Sequence, residues 1–245
     1  MLRNGDLTRG GITGTLLRFT LPMMAGSLLQ QCYNIADTLI VGQFLGKTAL
    51  AAVGSSFTLM TFLTSIILGL CMGSAALFSI RFGRQDEKGL RENISASFFF
   101  ILRATVLLNA LSYIFLGKLR VFLSVPQEVW GDMRSYLFVI FMGIPAVFLY
   151  NYFASFLRSI GNSVVPLVFL AVSAILNIAL DLRFVLGFKR GVAGAAEATV
   201  ISQYLSGVGI TIYTFMNYEQ VRRILKPKNL QRSRIGEVVS FSALT

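Results

Sequence analysis

Charged residues are scarce in this 245-residue chain, at 13%, and histidine is missing altogether. The lack of histidine removes the commonest metal ligand and the commonest general base. No Walker-type phosphate loop occurs either, so we do not expect ATP hydrolysis. The only two cysteines, Cys32 and Cys71, fall in apolar stretches, where we expect free thiols that pack as small apolar residues. With 55% hydrophobic residues, the composition excludes an ordinary soluble domain and indicates a multi-pass membrane protein.

The apolar residues are arranged in runs that each reach about 20 residues, the length that crosses a bilayer as a helix. They lack the strict two-residue alternation of barrel strands. We therefore predict an all-α membrane protein, a six-transmembrane-helix bundle. Pro22 removes a backbone donor from the first span and is expected to bend it. The spans are predicted at 16–41, 50–78, 94–117, 136–157, 164–186 and 192–216.

The net charge of +11 is distributed unevenly between the loops. If the spans alternate, the side that holds both termini carries about twice as many Lys and Arg residues as the other side, which places both termini in the cytoplasm. The uneven charge thus indicates the orientation of the chain in a cell membrane, and we do not expect nucleic acid as a partner. No cleaved signal is expected at the N-terminus. Trp130 and Tyr136, in the longest outer loop, fit an interfacial aromatic belt.

Polar side chains recur inside the predicted spans and share helix faces. Two segments of the chain are similar to each other, NIADTLIVGQFLG (34–46) and NIALDLRFVLGFKRG (177–191). Each has an aspartate near the outer end of its span. Residues four or seven apart lie on one face of a helix. Several such faces together predict a polar cavity inside the bundle. The residues are Gln30, Asn34 and Asp37 in the first span, Asn151 in the fourth, Asn177 and Asp181 in the fifth, and Thr199 and Gln203 in the sixth.

Two intramembrane carboxyl groups suggest an ion site, because a charge at the bilayer centre costs about 3 kcal/mol or more and needs a reason. Carboxylate, amide and hydroxyl oxygens suit a hard cation, so Asp37 and Asp181 are candidate Na⁺ ligands. A carboxyl group in a poorly hydrated cavity can also hold a proton near neutral pH. An organic cation could compete for the same groups. Competition of an ion and a substrate for one site is the simplest mechanism of antiport. Plain ion pairs, Asp37 with Lys47 and Asp181 with Arg183, are the alternatives.

Two stretches of the chain then point to a known family. They are LPMMAGSLLQQCYNIADTLIVGQFLGKTALAAVG and LRSIGNSVVPLVFLAVSAILNIALDLRFVLGFKRGVAGAAEATVISQ, and with the spans between them they resemble the bacterial MATE family (multidrug and toxic compound extrusion). The resemblance implies a secondary transporter that exports organic, often cationic, compounds in exchange for Na⁺ or H⁺, without an enzymatic activity or a cofactor. It also implies twelve helices in two six-helix lobes around a central cleft.

The resemblance assigns roles to particular residues. It implies cation or proton coupling by Asp37, Asn177, Asp181 and Thr199, with Asn151 nearby, and a bend in the first span at Pro22. The family usually has proline after the span-five aspartate, whereas Leu182 and Arg183 follow Asp181 here. A guanidinium so close would favour the charged carboxylate and could itself occupy a cation site.

The resemblance covers one lobe only, so we expect a chain organised as the N-terminal half of such a transporter. We predict a cytoplasmic N-terminus at 1–15, a six-span lobe at 16–217, and a basic linker at 218–245 that leads into the start of a seventh span. The lipid bilayer surrounds this lobe, and a missing second lobe or a homodimer partner would complete it. A truncated protein without transport, or a lipid-precursor flippase of the same fold, are the alternative functions.

Overall fold

The computed structural model describes residues 12–222 and residue 236, and this part of the chain is all-helical. The predicted segments 1–15 and 218–245 therefore lie largely outside the described residues. A 3₁₀ turn, Phe141–Gly143, separates the third and fourth helices, and a π-helical segment, Leu182–Gly187, follows the fifth. The helices are α1 (Ile12–Gly83), α2 (Glu87–Phe122), α3 (Gln127–Ile140), α4 (Ile144–Ser159), α5 (Val164–Asp181), α6 (Gly191–Asn217) and α7 (Glu219–Arg222).

Helix α1 contains both of the first two predicted spans. It has 72 residues, and a straight helix of that length would be about 108 Å long, far more than a bilayer core of about 30 Å. Its backbone leaves helical geometry at Gly46, where φ is 87° and ψ is −175°. A positive φ strongly favours glycine. The gap between the predicted spans 16–41 and 50–78 is thus too long, because one glycine makes the kink and helix continues on both sides of it.

Four helices of the described part are long and apolar enough to cross a membrane: 16–83, 87–121, 127–159 and 164–187. The first of these ranges holds the two segments of α1. The predicted span boundaries are several residues too short at most ends, since polar residues extend the helices beyond the apolar core. Helix α6 is not among the four, because its serine, threonine, glutamine and glycine residues reduce its mean hydropathy.

Helix α4 lies at the centre of the bundle, in contact with α1, α2, α5 and α6. Every residue from Tyr152 to Leu157 is buried, so the helix is covered all round rather than on one face. Edge-on aromatic contacts join it to its neighbours: the Tyr152 ring lies 5.3 Å from Phe98 and 6.1 Å from Phe78. The Tyr152 hydroxyl donates to the Ile94 carbonyl at 2.7 Å. The fourth predicted span is therefore the core on which the others pack.

Close approach of α6 to α4 depends on Gly207. A Cβ added at this glycine would lie 2.6 Å from the carbonyl oxygen of Ala146, which is backbone and cannot move aside. Small residues at such positions let helices pack closely in membranes.

We predict that Gly207→Ala destabilises the bundle by about 1–3 kcal/mol through overpacking. The matched control is Gly54→Ala, since a Cβ there meets no heavy atom within 4 Å and alanine favours helix by about 0.5–1 kcal/mol. Thermal unfolding in detergent should show a lower melting temperature for the Gly207 variant only. Equal melting temperatures would contradict this packing.

Candidate functional site

The two intramembrane aspartates lie on helices that pack against each other, α1 and α5. Gly26 of α1 lets the side chains of Leu167 and Leu170 approach closely. One turn before Pro22, the Phe19 carbonyl accepts a hydrogen bond from the Ser163 hydroxyl at 3.1 Å. These contacts hold the first segment of α1 along α5.

Asp37 and Asp181 form what we call the carboxyl pair. Asp181 is the last residue of α5 and is 0% exposed. Neither of its carboxylate oxygens has a hydrogen-bond partner among the described residues, and the same is true of Asp37 Oδ1. The two carboxyl groups are close enough to interact electrostatically. Their negative charges therefore oppose each other in a buried place, which is unfavourable unless a positive charge intervenes.

The polar surroundings of the pair come from α5 and α6. Asn177 lies one turn before Asp181 on the same face of α5, and its Nδ2 donates to the Thr199 hydroxyl at 3.3 Å. Its Oδ1 is buried and has no partner in the described part of the chain. The structure thus brings Asn177 and Thr199 together, one turn before Asp181 in the case of Asn177, as the family resemblance implied. The roles of these residues stay a prediction.

Two tyrosines also face the pair, and the sequence did not single out either as a site residue. The hydroxyl groups of Tyr33 and Tyr136 are each within electrostatic range of both Asp37 and Asp181. Tyr33 precedes Asp37 by one turn, so the stripe on α1 could have found it. Tyr136 was expected in an interfacial belt, and this prediction is wrong: the side chain is buried, with the residue 7% exposed. The position of the Tyr136 side chain depends on how α3 packs against α1. The spacing of apolar residues in the sequence does not specify that packing.

Other predicted residues make contacts of different kinds. Asn151 Nδ2 donates to the Val147 carbonyl of its own helix at 2.8 Å, and Asn34 donates to Gln31 at 3.2 Å. Gln30 is exposed on the first segment of α1. Gln203 Oε1 lies against Gly143 of the 3₁₀ turn and has no hydrogen-bond partner among the described residues.

The effect expected of Pro22 is a bend in α1. Pro22 lies inside this helix, and within 12–83 only Gly46 has non-helical dihedral angles. The bend therefore stays a prediction, and if present it involves no break in the helix.

The alternative ion pairs are not formed. Lys47 is exposed, and the Arg183 guanidinium lies 5.5 Å from the centre of the Phe188 ring, not on Asp181. The carboxylate that does find a partner at this end is Glu197, which accepts from Arg190 at 2.8 Å. The concern that Arg183 might occupy a cation site at Asp181 is therefore not supported by the geometry.

Chemically, the pocket holds buried acceptor oxygens that no donor of the described residues satisfies. Its buried groups without partners are carboxylate and amide oxygens, which suit a hard cation. No group of three or more His, Cys, Asp or Glu side chains occurs in the described part of the chain. A transition-metal centre is thus not indicated, whereas a singly charged ion held by two carboxylates and neutral oxygens fits these residues.

Comparison with known proteins identifies the family of the chain. The MatE family model matches residues 22–182. The chain belongs to the MatE family. MatE proteins are transporters and not enzymes, and this chain is accordingly a multi-pass membrane protein.

Curated MatE relatives give the extent of the match. The chain is 33% identical over 198 residues to the probable multidrug resistance protein YpnP of Bacillus subtilis, covering 81% of this chain and 44% of that protein. It is 30% identical over 202 residues to the multidrug export protein MepA of Staphylococcus saprophyticus, covering 81% and 44%. The chain thus spans about half the length of the curated relatives it matches.

A solved structure shows the same fold. The outward-facing conformation of a multidrug resistance MATE family transporter of the MOP superfamily superposes with a TM-score of 0.88 at 24% identity. The superposition covers 97% of this chain and 54% of that one. The match corresponds to one six-helix lobe, the N-terminal one.

We predict that Thr199→Val destabilises the lobe by about 1–3 kcal/mol, because the buried Asn177 amide loses its acceptor. Thr199→Ser keeps the hydroxyl and should stay near the wild type. The measurement is thermal unfolding of the purified protein in detergent. A valine variant as stable as the serine variant would show that the 3.3 Å contact contributes nothing.

Proposed function

We propose that this chain forms the cation-coupling lobe of a secondary transporter that exports organic, often cationic, compounds in exchange for Na⁺ or protons. The observation that carries the proposal is the carboxyl pair, in which both Asp181 oxygens and Asp37 Oδ1 are buried without a donor among the described residues. A bound cation or proton would relieve the repulsion between Asp37 and Asp181, and the loaded and empty lobes would differ by one charge. An ion gradient can then bias the conformation of the lobe.

The residues divide into two roles in this proposal. Asp37 and Asp181 carry the charge that binds Na⁺ or a proton, and Asn177 and Thr199 supply neutral oxygens beside it. Asn151, Gln30, Asn34 and Gln203 would line the cavity through which ion and substrate pass, and Pro22 would allow α1 to bend.

The topology is part of the same proposal. The two segments of α1, together with α2, the α3–α4 helix, α5 and α6, would make six spans of a lobe at 16–217 in the cell membrane, with both termini in the cytoplasm. Although α6 is not among the four helices that are apolar enough to cross a membrane by composition, it packs against α3, α4 and α5 and so belongs to the bundle. Export needs a partner across the cleft, either a second lobe or a second copy of this chain.

The pocket is less suited to the alternative function, a lipid-precursor flippase, because binding of a phosphate group needs donors or basic side chains.

Cation binding should be visible as stabilisation of the lobe. A ligand at 100 times its Kd stabilises a folded protein by about 2.7 kcal/mol, so we predict that NaCl raises the melting temperature relative to choline chloride. Asp37→Asn and Asp181→Asn should each remove this response. Asp181→Asn should also raise the melting temperature of the cation-free protein, because it removes one of two opposed buried charges.

The matched control for this experiment is Glu197→Gln, a neutralised carboxylate that already has a partner, and it should respond to Na⁺ like the wild type. A Na⁺ response that survives in both aspartate variants would contradict the assignment of the site. No response in the wild type would exclude Na⁺ and leave protons as the coupling ion.

Transport itself needs the two-lobe protein. With this lobe placed in a full-length version, Asp37→Asn and Asp181→Asn should abolish efflux of a fluorescent organic cation driven by a Na⁺ or proton gradient. Membrane insertion should be unchanged. Normal drug resistance in cells that carry both variants would rule out the antiport proposal, and retained function in Glu197→Gln would show that the loss is specific.

A further inference from the structure

The fourth span is interrupted at the middle of the bundle. Helix α3 ends at Ile140, the 3₁₀ turn Phe141–Gly143 follows, and α4 begins at Ile144. Pro145, in the first turn of α4, has no N–H, so the Phe141 carbonyl lacks an α-helical donor. It accepts from the Ile144 N–H instead, in the 3₁₀ pattern. We call this segment the broken turn, and neighbouring helices add further donors to its carbonyls.

Neighbouring helices supply these donors. Asn109 of α2 donates from Nδ2 to the Phe141 carbonyl at 2.8 Å. The hydroxyl of Tyr113, also on α2, donates to the Phe138 carbonyl at 2.9 Å. The hydroxyl of Tyr204 on α6 donates to the Met142 carbonyl at 3.0 Å. We call Asn109, Tyr113 and Tyr204 the clamp residues, because two helices hold the broken turn between them.

The broken turn is also packed tightly against both helices. The Tyr113 ring lies edge-on to Phe141, 5.5 Å between centres. A side chain at Gly143 would collide with Gln203 of α6. The angle between α3 and α4 is therefore set by contacts of α2 and α6, and not by the sequence of the turn alone.

This angle decides the position of Tyr136. Tyr136 precedes the broken turn by five residues, and its hydroxyl lies within electrostatic range of Asp37, Asp181 and Tyr33. Helix α3 contacts α1 and α6, so a small rotation at the turn would carry the phenol towards or away from the carboxyl pair.

We propose that the clamp residues are positioning residues, which fix the broken turn and thereby set the distance between the buried Tyr136 side chain and the carboxyl pair. The inference rests on the proposed function, in which that pair binds the coupling cation. Tyr136 would then supply a neutral oxygen to the bound ion, and the clamp would set the affinity without touching the ion.

The experiment measures the position of Tyr136 and the affinity for Na⁺ separately. Fluorotyrosine placed at position 136 reports its surroundings by ¹⁹F NMR in the purified chain, whether or not an ion binds. Binding of ²²Na⁺ is measured on the same variants. Asn109→Leu, Tyr113→Phe and Tyr204→Phe each remove one donor. The matched control is Tyr213→Phe on α6, whose hydroxyl faces Asn162 instead of the broken turn.

We expect the clamp variants to shift the ¹⁹F resonance and to weaken Na⁺ binding about three- to tenfold, the range for one lost hydrogen bond. Asn109→Gln, which keeps the amide donor, should restore most of the affinity, and Tyr213→Phe should change neither readout. In a Tyr136→Phe background the clamp variants should cause no further loss, because they act through that residue.

Two results would overturn the inference: an unchanged ¹⁹F resonance in folded clamp variants, or losses of affinity that add fully to the loss in Tyr136→Phe. If Asn109→Leu fails to fold, the two tyrosine variants, which lose only a hydroxyl each, give the answer. If the wild type binds no Na⁺ but the clamp variants shift the resonance, the positioning role stands and Na⁺ binding by the proposed site fails.

Discussion

The constraint on which the structure depends is the electrostatic interaction of a buried acidic side chain, Asp181, with a half-buried one, Asp37. Asp37 and Asp181 interact electrostatically, and their buried oxygens find no donors among the described residues. A fold would gain stability by replacing either with an apolar residue, since buried charges are costly unless they are paired. Their retention makes sense if a mobile cation supplies the missing positive charge, and the surrounding helices are arranged accordingly. Helices α1 and α5 bring the carboxyl groups together, and α6 adds the Asn177–Thr199 contact.

The rest of the lobe consists of a tightly packed central helix and of three points where the helices depart from regular geometry. Helix α4 is buried all round and carries the aromatic core, so it forms a fixed reference for the other helices. The adjustable points lie where helices lose regular geometry: Gly46 in α1, the broken turn before α4, and the π-helical segment directly after Asp181. Departures of this kind are often found at functional sites. Here two of the three adjoin residues that face the carboxyl pair.

Much of this architecture could be predicted from the sequence, because long apolar runs and polar stripes are local patterns. The all-helical class and the membrane location followed from them. The family followed from the resemblance of two stretches of sequence, and that resemblance also implied the grouping of Asn177 with Thr199. The two errors have different physical causes. The kink in α1 is shorter than predicted because a single glycine with positive φ makes it, whereas the burial of Tyr136 depends on contacts between α3 and α1. Neither hydropathy nor spacing specifies those contacts, and the roles of the site residues still await experiment.

The central claim, that one pocket holds both carboxyl groups, can be tested most directly by labelling with a hydrophobic carbodiimide, which reacts with protonated carboxyl groups in apolar surroundings. The intact mass of the labelled chain gives the number of adducts. We expect one adduct on the wild type and one on each single aspartate-to-asparagine variant, but none on the double variant, because a first adduct fills the shared pocket. Two adducts on the wild type, formed independently at Asp37 and Asp181, would contradict the account.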